Sequence, residues 1–408
     1  MAQNLTTRCC IVGGGPAGMM LGFLLARAGV DVVVLEKHAD FLRDFRGDTI
    51  HPSTLQFMYE LGLLDEFLKL PHQRLEEASA QIGDASVTVA DFRHLPTVCK
   101  FIALMPQWDF LNFLAAQGAR YKSFGVMMRA DVTDVIFEGG RAVGVRVNTP
   151  EGMSEVRADL IVGADGRHSI VREKAGLKVL DLGAPMDVLW MRISRRPDDQ
   201  NETLGRIEAG HVFIKLNRGD YWQCAFVIPK GATEQVHSAG LSAFRAKIRE
   251  LSPGLGDRVE ELKSWDDVKL LTVAVDRLEQ WYRPGLLCIG DAAHTMSPIG
   301  GVGINLAVQD AVAAANLLYE PLRRGRPSEQ ELAAVQRRRV FPMRVIQGIQ
   351  LFIQDRVISR VLASNQRPTA PAAIKTLDWL PILRRIPAYI MGIGVQREHV
   401  RTPDAGHG

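Results

Sequence analysis

The sequence predicts an α/β protein: a central parallel sheet opened by a βαβ unit, a mixed sheet-plus-helix region set into it, and helices towards the C-terminus. Three observations carry this. Residues 8–12 are an apolar run ending in glycines, 16–28 have helical periodicity, and 31–35 are a second β-branched run. Three strand candidates follow between 188 and 228, backed by an amphipathic helix at 238–251. Residues 286–289 then return to a short buried strand that runs into a second glycine cluster.

In chain order, Pro16 opens the first helix and Gly29 stops it, and the second strand ends at Glu36. Residues 52–64 and 108–120 read as helices. Between 126 and 156 the pattern becomes short strands with turn glycines at Gly139, Gly140 and Gly152, a small meander. Residues 160–162 are another buried strand, leading into Gly163-Ala164-Asp165-Gly166. The inserted sheet is expected at 188–193, 211–216 and 221–228. Residues 304–318 read as a helix and 329–362 as one or two long helices. The segment 377–395 is apolar and broken by prolines; it fits docking on the core, contact with a second subunit or a peripheral contact with a membrane, and docking is the expectation. Residues 404–408 read as an unstructured end.

Composition narrows the function. With 408 residues, 47% hydrophobic and 23% charged, the chain can bury large cores. A net charge of +3 gives no concentrated basic face for nucleic acid, and Arg337-Arg338-Arg339 reads as the solvated side of a helix. The five cysteines form neither a C-x-x-C pair nor a metal-ligand spacing, so no metal is expected and the thiols suit a reducing compartment. Residues 1–7 are polar and unlike a signal peptide, and Arg27 and Asp31 interrupt the best apolar stretch, so no membrane span and a cytoplasmic location are expected.

Gly13-x-Gly15-x-x-Gly18 follows a strand and opens a helix. Gly13 permits the tight turn, Gly15 lets backbone approach a pyrophosphate, and Gly18 lets helix and strand pack closely. The helix N-terminus offers N–H groups and partial positive charge. Glu36 stands where a ribose-binding acid belongs. A carboxylate there accepts from a free 2′-OH and repels a 2′-phosphate, which disfavours NADP and leaves NAD or FAD. Late in the chain, Gly290-Asp291 follows a strand, and Pro298-x-x-Gly301-x-Gly303-x-Asn305 opens a helix. Those glycines let backbone lie against a flat ring, and the helix N-terminus can stabilise negative charge on it. One molecule gripped from both ends of a chain suggests a large dinucleotide, and FAD fits best.

These motifs, with 159–172 between them (Asp165-Gly166, then Ser169 and Arg172), resemble the FAD-dependent aromatic monooxygenases of the para-hydroxybenzoate hydroxylase type. The likeness covers residues 8–318 and includes Asp310 in the last matched helix. It implies an FAD-binding domain from 1–70, 96–180 and 268–325, a substrate domain from 71–95 and 181–267, and a C-terminal helical region at 326–408. By the resemblance, Gly13, Gly15, Ala17 and Gly18 face the FAD pyrophosphate, and Glu36 and Lys37 the adenosine side. Arg46 belongs near the flavin and pyrophosphate, Gln107 near the ribityl chain, and Val132 near adenine. Trp108 replaces an arginine common in relatives. Asp165 touches FAD or the passing nicotinamide, and Asp291 binds the ribityl-pyrophosphate region. Pro298, Gly301, Gly303, Ile304 and Asn305 lie along the isoalloxazine.

The implied reaction is hydroxylation of a small aromatic substrate by O₂ through a flavin C4a-hydroperoxide, with NADH or NADPH as a transient donor. No second dinucleotide fingerprint is present. No nucleophilic side chain is needed, so no catalytic residue is assigned, and His51 reads as a local hydrogen-bonding residue. Substrate contacts are expected from the inserted sheet, with Trp190, Arg192 and Trp222 as candidates. Alternation puts Val188, Trp190 and Arg192 on one face and Trp222, Cys224, Phe226 and Ile228 on another, without saying which lines the pocket. Few charges mark these strands, so a bulky, weakly charged phenolic or polycyclic substrate is expected. Alternatives are a halogenase, whose W-x-W-x-I-P signature this chain lacks, a flavin reductase without oxygen activation, or a non-catalytic flavin binder. The oligomeric expectation is a monomer or homodimer.

Overall fold

The computed structural model describes residues 5–42, 49–199, 204–370, 376 and 379–406. Strand β1 (Leu5–Val12), helix α1 (Pro16–Arg27) and strand β2 (Val32–Glu36) form the βαβ unit. Their sequences explain them: the inner residues of both strands are Cys, Ile, Val and Leu, buried on both faces as a parallel strand requires. Helix α1 carries Pro16 in its first turn and is apolar over most of its circumference, because the sheet lies on one side and other helices on the rest.

Among the described residues the largest sheet has eight strands. Its path runs Tyr282–Arg283, Leu286–Cys288, Gly152–Gly163, β1, β2, Phe124–Met128. The strand Gly152–Gly163 has two lives. Its first half closes an antiparallel meander with Arg141–Thr149, and its second half runs parallel to β1. Helix Gln107–Gly118 and helix Gly303–Arg324 pack against α1. Helix Ile299–Arg324 is long and apolar enough to cross a membrane, but 78% of its apolar window is buried in the protein, so burial in the core explains its composition.

The second large sheet has seven strands in the order Val268–Leu271, Met186–Ser194, Tyr221–Pro229, His211–Asn217, Leu204–Glu208, Glu77–Ile82, Ala85–Asp91. The three central strands match expectation. Glu77–Ile82 and Ala85–Asp91 were invisible in the sequence because Ala, Ser, Gln and Thr dominate where β-branched apolar runs are sought. The expected helix at 238–251 is split: Gly240 takes φ +88° between Thr233–Ala239 and Leu241–Leu251. The second of these covers one sheet face, burying Phe244, Ile248 and Leu251 against Leu189, Phe213, Trp222, Cys224 and Phe226.

The long C-terminal helix, Glu329–Ile353, starts at a capping box in which Ser328 and Glu331 exchange hydrogen bonds. It runs into one π-helical turn, Gln354–Ile358, and a last α-turn, Ser359–Leu362. Helix Arg385–Gly392 then docks on the core, with Ala388 and Ile393 buried against Phe92, Leu95 and Ile102. Residues 404–406, expected to be unstructured, are tied down. Asp404 accepts from the Tyr121 hydroxyl at 3.2 Å, and Ala405 N–H donates to Arg27 O at 2.8 Å.

Candidate active site

Four strand ends bring the motifs together. Val12 is in register with both Leu35 and Gly163, and Gly163 with Cys288. The chain therefore leaves the sheet at one carboxyl edge, through Gly13, Glu36, Ala164-Asp165 and Ile289-Gly290. Backbone bonds seal the row: Gly13 N–H to Leu35 O (2.8 Å), Ala164 N–H to Val12 O (2.8 Å) and Ile289 N–H to Gly163 O (2.9 Å). Open α/β sheets bind ligands at this edge.

Gly13 has φ +105°, and a Cβ there would lie 2.7 Å from Asp165 Cα, so the first and middle motifs touch at a point where only glycine fits. Gly15, the N-cap of α1, has φ −75° and open space within 4 Å of a built Cβ. The free N–H groups of the first turn of α1 face this opening, while Ala17 and Gly18 are buried behind it. Gly290 comes within contact distance of Ala17, so the late motif closes on the same helix.

Glu36 is 7% exposed; its Oε2 accepts from Gly14 N–H at 3.0 Å and its Oε1 from His38 N–H at 3.0 Å. The carboxylate is thus fixed beside the glycine turn, and Lys37 points to solvent. Val132 is buried in Asp131–Glu138, beside the end of β2, where Ala130 N–H donates to Glu36 O at 2.9 Å. Gln107 is the first residue of its helix. Arg46 lies outside the described residues.

Asp165 accepts from Val171 N–H at 3.2 Å through Oδ2, while its Oδ1 is buried with no hydrogen-bond partner. Burial raises its pKa, opposed by the hydroxyl of Ser169 and nearby backbone N–H groups. Asp291 sits half-buried in the turn Gly290–Ala292. Pro298, Gly301, Gly303 and Ile304 line a half-buried loop and first turn before the helix Gly303–Arg324. Asn305, expected along the isoalloxazine, is buried in the first turn of that helix. Its side chain is committed to protein, accepting from Ser53 Oγ and Gln309 Nε2 and donating to Met391 O at 3.3 Å. Only its backbone is left to face a ligand. His51 is fully buried between Gly301 O (3.0 Å from Nε2) and Met391 O (2.8 Å from Nδ1), and burial lowers its pKa to about 4. A neutral imidazole carries one N–H, so it donates to only one of these two carbonyls.

Sheet alternation resolves the substrate candidates. Trp190 packs with Val188, Val212, Ala225 and Val227 on the face towards Ile299. Trp222 lies on the opposite, helix-covered face, 1% exposed, its indole N–H donating to Asp199 Oδ2 at 2.8 Å. It is a core residue, and Lys215 stands 4.4 Å over its ring on that same side. Arg192 shares the Trp190 face but sits at its solvent end, paired with Asp220 at 3.2 Å and stacked 3.9 Å over Tyr221. The face towards Ile299 is therefore apolar.

Sequence reasoning missed one network. Asp310 and Arg339 are both fully buried, joined at 2.9 Å; Asp310 also holds His294 at 2.5 Å and accepts from Gly290 N–H at 3.2 Å. Arg339 reaches on to Glu398 at 3.3 Å. Arg339 is therefore no solvated residue, although its neighbour Arg338 is part-exposed. Burial alone would raise the Asp310 carboxyl; His294 and Arg339 beside it hold its pKa below the usual range. The network anchors the Gly290 turn to the long C-terminal helix.

A family model described as an FAD binding domain matches residues 6–348. The chain belongs to the FAD-binding-domain family. Within it, the chain is 32% identical over 389 residues to 6-methylpretetramide 4-monooxygenase of Streptomyces rimosus, covering 94% of this chain and 93% of that protein. It is 27% identical to a rifampicin monooxygenase of Streptomyces venezuelae, over 74% of this chain and 61% of that one. The solved structure of PqsL, a probable FAD-dependent monooxygenase from Pseudomonas aeruginosa, superposes with a TM-score of 0.74 at 21% identity, over 88% of this chain and 98% of that one. The protein is an FAD-dependent monooxygenase. The open Gly15 turn, the fixed Glu36 carboxylate and the orphaned Asp165 oxygen at one sheet edge fit a bound dinucleotide.

Proposed function

We propose that this monooxygenase hydroxylates a bulky, weakly charged phenolic or polycyclic aromatic compound, using NADH or NADPH as a transient hydride donor. The observation that carries the reading is the apolar sheet face around Trp190, which looks towards Ile299 in the loop before the helix Gly303–Arg324. Lys215 is turned away from that face and Arg192 is at its rim, so an anionic substrate finds no buried cation among these strands. Two relatives support the class by name, acting on 6-methylpretetramide and rifampicin.

Bound FAD supplies the activation of O₂, of which one atom enters the substrate and the other leaves as water. The chain's own residues bind, orient and desolvate. Gly13, Gly15, Ala17 and Gly18 with the first turn of α1 hold the pyrophosphate. Glu36 accepts from the adenosine ribose, with Lys37 and Val132 near the adenine end. Gln107 and Asp291 hold the ribityl-pyrophosphate region, and Arg46 lies outside the described residues. Pro298, Gly301, Gly303, Ile304 and the Asn305 backbone line the ring, with the helix N-terminus favouring negative charge there. Asp165 lies at the same edge, positioned for FAD or the nicotinamide.

Anaerobic mixing of the purified protein with NADH and with NADPH, over a panel of phenols and hydroxyquinones, tests this. Flavin bleaching accelerated by one aromatic class, followed in air by a product one oxygen atom heavier, is the expected result. Bleaching indifferent to every aromatic compound, with all oxygen consumed appearing as peroxide, would refute it.

A further inference from the structure

Helix Arg385–Gly392 and the short turn before it, Pro381–Arg384, spend only one side of an apolar segment on the core. Inward, Ala388 and Ile393 are buried among Phe92, Leu95 and Ile102. Hydrogen bonds to Met391 O and Ile393 O fix the same stretch from beneath. Outward, the segment is apolar as well. Trp379 is 87% exposed, Ile382 62% and Ile386 58%, with Leu380 and Tyr389 exposed beside them. Ile386 and Tyr389, three residues apart, stand side by side on the helix surface. Single exposed apolar side chains are ordinary, but several large ones within one short, seated stretch form a patch that marks a contact.

Charge indicates what covers it. From 379 to 397 the sequence holds Arg384, Arg385 and Arg397 and no Asp or Glu. Arg385 is exposed at the start of the helix, between Ile382 and Ile386. A second copy that met this segment with its own would set arginine against arginine. Pro381 interrupts the run, so Trp379, Ile382 and Ile386 are not carried on one regular helix for a protein groove to read. An anionic lipid surface has neither difficulty. It takes apolar side chains at any spacing, accommodates Trp and Tyr rings at headgroup level, and attracts arginines to its phosphates.

We propose that residues 379–389 dock the enzyme on an anionic lipid bilayer, with Trp379, Ile382 and Ile386 inserted at the interface and Arg385 among the headgroups. The contact is peripheral, because the segment is too short to span the hydrocarbon core. It does not depend on which substrate the enzyme takes.

The test is co-sedimentation of the full-length, flavin-loaded protein with vesicles of phosphatidylcholine alone and of phosphatidylcholine mixed with phosphatidylglycerol. The native protein pellets with the mixed vesicles, less with phosphatidylcholine alone and less at high salt. Binding shifts tryptophan emission to shorter wavelength, and Trp379→Phe abolishes the shift while pelleting persists. Ile382→Gln combined with Ile386→Gln weakens binding to either vesicle about tenfold or more. Arg385→Gln weakens it about fivefold, and only on the mixed vesicles. These side chains are exposed, so melting temperature and flavin content stay native. Native protein that fails to pellet with the mixed vesicles overturns the proposal, as does pelleting unaltered in the double isoleucine variant. A concentration-dependent dimer in light scattering that the same variant abolishes assigns the face to a second copy and also overturns it. Loss of flavin or a lower melting temperature in that variant assigns the face a structural role, with the same consequence.

Discussion

Replacing Arg339 with methionine probes the buried network behind the Gly290 turn. The guanidinium is 0% exposed and satisfies Asp310 and Glu398 at once. Glu398 retains Arg338 at 2.8 Å, whereas Asp310 is left with His294 and one backbone N–H. Stranding a buried carboxylate in this way costs about 3–5 kcal/mol. Unfolding entropy of about 2.1 cal/mol/K per residue gives about 0.9 kcal/mol/K for 408 residues melting as one unit, so Arg339→Met lowers Tm by about 3–6 °C. Differential scanning fluorimetry reads this directly, with flavin release as a second signal. The companion Asp310→Asn keeps an oxygen for Gly290 N–H while removing the stranded charge. The double variant therefore recovers most of the loss, a coupling expected only between contacting groups. Losses that simply add, or a single variant within 1 °C of native, would refute the reasoning.

Other outcomes follow from the same geometry. Gly15→Val places its side chain in open space at an ordinary φ, so the protein folds with native circular dichroism yet purifies without yellow colour. Gly13→Val, forced against Asp165 at φ +105°, fails to give folded protein, and equal soluble yields of the two variants would count against this distinction. Glu36→Ala raises the FAD dissociation constant about tenfold or more, read by fluorescence titration, as expected of the proposed charge-assisted hydrogen bond from the ribose to the Glu36 carboxylate. The Asp310 pKa is depressed in the folded state, so its stabilising share is complete above the unfolded value near 3.9 and disappears as pH falls through the folded value. The Tm gap between native protein and Asp310→Asn is accordingly flat from pH 7 to 5 and closes below about pH 4.

Local chemistry made the nucleotide end readable. Gly13, Gly15, Gly18 and Glu36 lie within one βαβ unit, and their spacing alone carries the geometry later found at the strand ends. The inserted sheet was readable only to its alternation. Trp190 and Trp222 fall on opposite faces by count, but which face meets the Ile299 loop depends on helix Leu241–Leu251 having covered the other. Strands such as Glu77–Ile82 form because neighbouring strands offer hydrogen bonds on both sides, and Ala-Ser-Ala-Gln announces nothing of that kind. Arg339 misled for a related reason: its partners Asp310 and Glu398 are 29 and 59 residues away, and a run of three arginines gives no sign of them.

The docked tail braces the late glycine motif. Met391 O is held by Asn305, Ile393 O by Gln309, and Asp404 by Tyr121, and Met391 packs with Val302 beside the Gly301 loop. A variant ending before residue 385 would lose all of these ties at once, so the flavin ring proposed to lie along that loop would be gripped less firmly.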